Sequence, residues 1–194
     1  MPILIYNAGW MLYNCFLALL ALGFGYFFLV SKNKKAKFLF GILWLLFLPN
    51  TIYIFTDLEH LIDQWPLLPW NFRILLALQY LLLEIFAFAT FAFGLYPFEK
   101  IILSWKSFKK HKVLILILFN FFIAFGMVLG RVERINSWDV VLRPYAVLNS
   151  AVDVFFSYKL FGLLLLFGIL CNCFYFLFRK QVIRVSDKFS QVLD

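Results

Sequence analysis

Charge is what this sequence has least of. Only 14% of its 194 residues are Asp, Glu, Lys or Arg, against about 25% in an ordinary soluble domain. With 64% of the chain hydrophobic, a soluble fold would run out of polar groups for its surface, so the solvent for most of the chain is expected to be lipid. Cysteine is also scarce. Cys15, Cys171 and Cys173 all fall inside apolar runs, which argues against a disulfide framework and against a zinc site. Neither Gly-x-Ser-x-Gly nor His-Glu-x-x-His occurs, so the familiar nucleophile-elbow and zinc-protease chemistries are not indicated. No internal repeat, low-complexity segment or second domain interrupts the chain, and residues 1–194 are read as one transmembrane domain.

What the sequence has in abundance is long apolar runs. About 20 such residues are needed for a helix to cross the hydrocarbon core. Five runs qualify: Ala8 to Val30, Phe38 to Asp57, Arg73 to Leu95, Val113 to Gly130, and Tyr158 to Phe178. Their continuity points to helices rather than the short alternating strands of a barrel. The fold class expected is therefore an all-α polytopic membrane bundle of five spans. The first run is read as a retained span, because Met1 to Asn7 carries no basic residue and no small-residue cleavage site precedes the lysines.

The net charge of +8 would suit a nucleic acid if the basic residues were clustered on a domain surface. They lie instead in short loops, so no nucleic-acid partner is expected and their role is to set orientation. Lys32, Lys34, Lys35 and Lys37 follow the first span. Lys100, Lys106, Lys109, Lys110 and Lys112 follow the third, and Arg179, Lys180, Arg184 and Lys188 follow the fifth. Those 13 of the 18 basic residues fall on one side. The excess marks the cytoplasmic face, which places the N-terminus outside and the C-terminus inside. Trp65, Trp70, Trp138 and Tyr145 fall near span ends, where amphipathic rings favour the headgroup layer.

Polar side chains inside the spans are costly in lipid and need a partner, a cavity or a function. Glu84 lies roughly 16 Å below the outer boundary at 1.5 Å per residue, and Asn120 roughly 15 Å below it. An interhelical hydrogen bond between them, with Glu84 protonated, is the plain expectation; a proton-titrating or cation-binding site is the functional one. Arg73, Ala77, Tyr80 and Glu84 share one helical stripe, as do Asn120, Ala124, Met127 and Arg131. Gly126 and Gly130 form a small-xxx-small pair on another face, suited to close helix packing.

The second span is the most polar. Pro49 removes a backbone donor and leaves a carbonyl near Leu45 without its partner. Asn50, Tyr53, Asp57 and His60 then fall within about an 80° arc at 100° per residue, with Glu59 pointing the opposite way toward water. These four would line a funnel opening outward. After the fourth span, Arg131, Glu133, Arg134, Asn136, Ser137 and Asp139 reach the same face. An interfacial helix starting at Pro144 is expected between spans four and five, and Asn136-Ser137 also has the composition of a plain helix N-cap.

The stretch Leu48-Pro49-Asn50-Thr51-Ile52-Tyr53-Ile54-Phe55-Thr56-Asp57-Leu58-Glu59-His60-Leu61, with Gly130-Arg131 and Asn136-Ser137-Trp138-Asp139, resembles a family of bacterial membrane proteins known as domain of unknown function 1361. The resemblance would cover nearly the whole chain. It implies a multi-pass protein of a bacterial plasma membrane and brings no reaction with it.

Two functions fit the polar cluster. In the first, an outward-facing site binds or processes an anionic lipid or lipid-linked substrate. Arg131 and Arg134, with Asn50, Tyr53 and Asn136, would hold it. Asp57 and His60 would form an acid–base pair, and Asp139 would be a second carboxylate. Asp57, His60 and Asp139 make a thin metal set with a single histidine, so no metal is assigned, and the residues do not identify a cofactor. In the second, the cluster is a structural lock or partner interface in a non-catalytic membrane subunit or small transporter component. The partners expected are membrane lipids and, on the second reading, another membrane protein.

Overall fold

Without water to satisfy backbone groups, a chain in lipid has to satisfy them within itself, and every regular element among the described residues is helical. The computed structural model describes residues 2–105 and 110–193. Lys106 and Lys109, counted above with the third connection, lie outside them. In chain order the elements are α1 (Pro2–Val30), α2 (Lys34–Phe47), α3 (Pro49–Tyr53), a 3-10 turn (Ile54–Asp57), α4 (Leu58–Gln64) and a 3-10 turn (Trp65–Leu67). Then follow α5 (Trp70–Gly94), α6 (Tyr96–Ser104), α7 (Lys112–Arg131), α8 (Asp139–Leu142), α9 (Pro144–Phe156) and α10 (Tyr158–Leu193).

Five helical segments are long and apolar enough to cross a membrane: Pro2–Val30, Lys34–Leu67, Trp70–Ser104, Lys112–Arg131 and Tyr158–Lys188. The five-span reading holds, with boundaries that run further than the apolar runs suggest. Pro49 interrupts the second span without ending it, since Leu48 keeps helical backbone angles and the chain resumes as α3. Local signals explain other boundaries. The Asn33 side chain caps α2 by accepting from the backbone N–H of Lys35 at 2.9 Å and of Ala36 at 3.4 Å. Pro97 and Pro144 stand in the first turns of α6 and α9, where a missing N–H does no harm.

The spans alternate in direction. One end of the bundle therefore holds residue 2, α4, α8 and α9 and is here the loop end. The other holds Lys34, Glu99, Lys112 and Arg179 and is the basic end. The core is apolar and aromatic: Trp44, Leu48, Ile52, Phe91, Leu116, Ile123 and Tyr175 belong to one buried cluster, and Met11, Ile54, Leu76, Tyr80 and Leu83 to another. Trp44 also donates its indole N–H to the carbonyl of Gly94 at 2.9 Å, satisfying a group at the end of α5. Outward, α1 exposes Ile5, Leu12, Phe16 and Leu19, a face suited to hydrocarbon. The helix expected after span four forms as α9 from Pro144, and it too exposes an apolar stripe of Tyr145, Leu148, Val152 and Phe155.

Candidate functional site

At the loop end the break at Pro49 organises its surroundings. Three carbonyls around it take side-chain donors: Ser137 Oγ donates to Leu46 O at 2.8 Å, Asn50 Nδ2 to Phe47 O at 3.1 Å, and Thr51 Oγ1 to Leu48 O at 2.7 Å. Asn50 Nδ2 also donates to Ser137 Oγ at 3.3 Å. The loop after α7 is thus stitched to the kink of the second span. Gly126 makes the approach possible, because a Cβ there would strike the Pro49 ring. The close packing expected of Gly126 is therefore against a proline ring, on the face that carries the site.

Asp57 ends the 3-10 turn and is buried, 2% exposed. Its carboxylate accepts from Asn14 Nδ2 at 3.1 Å and from Arg131 Nη1 at 3.3 Å. Arg131 also reaches Glu59 Oε2 through Nη2 at 3.2 Å and lies over the Tyr53 ring, 5.9 Å from its centroid. Two expectations are corrected here. Glu59 is exposed but turns toward Arg131 rather than away from it. Four residues of 3-10 helix advance 120° each instead of 100°, which rotates everything beyond Asp57 by about 80°. The Asp57–His60 pair does not form either: among the described residues no hydrogen bond or ion pair joins the two side chains. The His60 ring stands edge-on to Trp10, with centroids 5.7 Å apart, and Asp57 is engaged by Asn14 and Arg131 instead.

Asp139, buried and only 2% exposed, closes the loop on itself. Its oxygens accept from Arg143 Nε and Nη2 at 2.9 and 2.8 Å, from the Asn136 backbone N–H at 2.8 Å and from Asn136 Nδ2 at 3.3 Å. The Arg143 guanidinium, and after it the Asn136 N–H, hold this carboxyl down at about pKa 2, and the Arg143 pKa is raised in return. Asn136 and Ser137 are thereby engaged with Asp139 and Leu46, and α8 has no side-chain N-cap. The plain N-cap reading is not the arrangement found.

Two cavities meet at this end. A polar one of about 550 Å³ is lined by Tyr53, Glu59, His60, Asp63, Gly130, Arg131, Arg134 and Asn136. An apolar one of about 340 Å³ runs among Leu17, Leu45, Phe47, Phe122, Phe125, Leu129, Val140 and Val147, with Asn14 and Asn50 on its wall. Tyr53, Gly130 and Asn136 line both. Of the residues singled out from sequence, the structure brings Asn50, Tyr53, His60, Arg131, Arg134 and Asn136 to these walls. It holds Asp57 behind Arg131, and it leaves Asp139 off both linings. Arg134 has left-handed backbone, φ 54°, a conformation that side chains other than glycine adopt at a cost and that clusters at functional sites. Among the described residues no three His, Cys, Asp or Glu side chains group as metal ligands.

Deeper in the bundle, the Glu84–Asn120 bond does not form. Asn120, fully buried, donates to Asn172 Oδ1 at 3.0 Å, and Asn172 Nδ2 donates to Gly168 O at 2.8 Å. Equal depth did not make Glu84 and Asn120 neighbours, because α10 lies along α7 and supplies the nearer amide. Glu84 is 8% exposed, and among the described residues neither of its oxygens has a hydrogen-bond partner. On the same stripe, Tyr80 OH donates to Gln64 Oε1 at 3.5 Å and Arg73 Nε to Leu68 O at 2.7 Å.

Sequence reasoning missed Asn14, the partner of Asp57, and Asn7, which exchanges amide hydrogen bonds with Gln64 at 2.6 and 3.1 Å. Asn14 is an amide within the first apolar run, the signal that singled out Asn120; Asn7 stands one residue before that run and joins the same helix, α1. It also missed a buried cluster at the basic end. Glu99, 1% exposed, accepts from Arg179 Nη2 at 2.5 Å and Nε at 3.0 Å, pairs with Lys112 Nζ at 2.5 Å and accepts from the Tyr175 hydroxyl. Lys112 and Arg179 had been read only as orientation signals.

No curated protein and no solved structure matches the chain. A family model does match, over residues 13–174, a stretch that begins on α1 at Tyr13, ends on α10 and contains every residue lining the two cavities. Most of the chain lies within that match: this is a multi-pass membrane protein that belongs to the family described as Protein of unknown function (DUF1361).

Proposed function

We propose that the loop end faces outward from the plasma membrane of a bacterial cell and that its paired cavities bind or process an amphiphile with an anionic group in its head, either a lipid or a lipid-linked substrate. The observation that carries this reading is the adjacency of the cavities: a polar chamber and an apolar one share Tyr53, Gly130 and Asn136 in their walls. A molecule with a charged head and a hydrocarbon tail matches that pair of environments, whereas a wholly soluble ligand would leave the apolar chamber unused.

The roles divide by position. Arg134, which has no ion-pair partner among the described residues, offers its guanidinium to phosphate or carboxylate. Arg131 is held by Asp57 and Glu59 and lends its remaining donors. His60 lines the chamber and brings a side chain that can give or take a proton. Asp57 and Asn14 position Arg131, and Asp139 with Arg143 shapes the loop carrying Asn136.

Lipid retained by the purified protein, identified by native mass spectrometry, tests the proposal. His60→Ala and Arg134→Asn should leave folding intact and reduce retention; full retention in both variants would defeat it. Orientation is tested separately in a cysteine-free background. A cysteine at Ile62 should react with an impermeant thiol reagent on intact cells and one at Lys35 should not, and the opposite pattern would turn the site inward.

One observation favours the structural alternative: Arg131 already has two acidic partners. As a lock or partner interface, the cluster would need Arg131 for stability and would be indifferent to His60.

A further inference from the structure

The polar chamber carries two formal positive and two formal negative groups on its wall: Arg131 and Arg134 against Glu59 and Asp63. They do not all neutralise one another. Arg131 is satisfied by Asp57 at 3.3 Å and Glu59 at 3.2 Å. Arg134 and Asp63 remain, facing the same space, and among the described residues neither has an ion-pair partner or a side-chain hydrogen bond. One unmatched cation and one unmatched anion, both exposed, thus line the same chamber. Long surface arginines ordinarily relax toward solvent or toward a carboxylate within reach. Arg134 is exposed and is carried on left-handed backbone, φ 54°, four residues after Gly130 and two before Asn136, which line both cavities.

Resting on the amphiphile reading above, we propose that the ligand's head is zwitterionic, with a phosphate against Arg134 and a protonated primary amine against Asp63, its hydrocarbon tail lying in the apolar cavity. The charge arithmetic favours this head over a singly anionic one. A head with phosphate alone would satisfy Arg134 and leave Asp63 beside an added negative charge, which is repulsive at close range. A phosphate with a tethered amine satisfies both residues, and the ammonium donates hydrogen bonds that an alcohol head would replace with uncharged ones. The tail is required because the second cavity shares part of its wall with the polar chamber and has a mainly apolar lining that includes Leu17, Leu45, Phe125 and Leu129.

The full chain, purified in a nonionic detergent, would be titrated with short-chain phosphatidylethanolamine, short-chain phosphatidylglycerol and the tail-less glycerophosphoethanolamine, with binding followed by native mass spectrometry. Phosphatidylethanolamine should bind roughly tenfold or more tighter than phosphatidylglycerol, the affinity equivalent of one hydrogen bond between charged groups. Asp63→Asn should abolish that preference without weakening phosphatidylglycerol. Arg134→Asn, which removes the charge while tolerating positive φ, should weaken both lipids. Among the described residues neither side chain has an ion-pair or hydrogen-bond partner to lose, and thermal melting of each variant verifies its fold. Equal affinity for the two lipids, unchanged by Asp63→Asn, would overturn the zwitterionic head and leave the amphiphile reading standing. Tail-less ligand binding as tightly as the lipid would overturn the assignment of the tail. Binding of none of the three, with no lipid co-purifying, would overturn the amphiphile reading itself.

Discussion

Glu99 at the basic end and Asp57 at the loop end are both carboxylates held in the interior, 1% and 2% exposed, and they are neutralised in different ways. Glu99 receives Arg179, Lys112 and the Tyr175 hydroxyl, contributed by α7 and α10 to a residue on α6. Its partners are themselves largely covered, at 22% and 16% side-chain exposure, and all converge on the one carboxylate. Asp57 receives one amide and one arm of an arginine, whose other arm goes to exposed Glu59. The first arrangement ties three helices together and leaves no side chain over. The second sits beside an open chamber in which His60, Asp63 and Arg134 have no ion-pair partner among the described residues. Buried charge stabilises a fold only when fully matched, and side chains left unmatched beside a cavity are the ones free to meet a ligand.

The comparison predicts unequal effects of mutation. Arg179→Ala combined with Lys112→Ala should be the most damaging, because together they strip buried Glu99 of both its cations; a loss of about 3–5 kcal/mol is the usual cost of leaving a buried charge unpaired. Thermal unfolding in detergent measures it, and a loss well under that range would mean the basic end is not the lock described. Arg131→Ala should cost less, about 2 kcal/mol, since Asn14 still serves Asp57 and Glu59 is already in water. If the two losses came out equal, the contrast between the ends would disappear.

Smaller effects sharpen the loop end. Gly126→Ala pushes a methyl group into the Pro49 ring, and overpacking of this kind costs about 1–3 kcal/mol; the same melt reports it. His60→Ala removes an edge-on contact with Trp10 worth about 1 kcal/mol or less, so its main effect should be on lipid retention rather than on the melting temperature. The smallest effect is a pH response. Asp139 is depressed in the folded protein from 3.8 to about 2, so its stabilising contribution is complete above the ordinary carboxylate range and fades as pH falls from about 4 toward 2. Carboxyl carbon NMR on Asp-labelled protein should show Asp139 still ionised at pH 3; protonation there at its ordinary pH would break the Arg143 assignment.

How much of this was legible beforehand depends on the distance over which each feature is specified. Five spans and the helix starting at Pro144 follow from local composition: a run of apolar residues is helical in lipid whatever its neighbours, because backbone groups there have no other partner. The importance of Pro49 and of the Asn136-Ser137 segment could also be read locally, since a missing donor leaves carbonyls that some polar group has to satisfy. Pairings could not. Asn120 and Glu84 are matched in depth, yet Asn120 belongs to Asn172, because depth along a helix says nothing about which helix lies alongside.

By itself, then, the sequence determined which segments cross the membrane, where the polar groups fall along each of them and which family the chain resembles, all consequences of hydropathy and short-range spacing. Tertiary structure alone decided that Arg131 serves Asp57 and Glu59, that Asp139 turns inward to Arg143 and Asn136, that Glu99 gathers Arg179 and Lys112, and that a polar chamber adjoins an apolar one. The physical reason is that a partner is chosen by rotation as well as depth. A four-residue 3-10 turn at Ile54–Asp57 shifts the phase of all that follows by about 80°, and ordinary helical spacing does not reveal that shift.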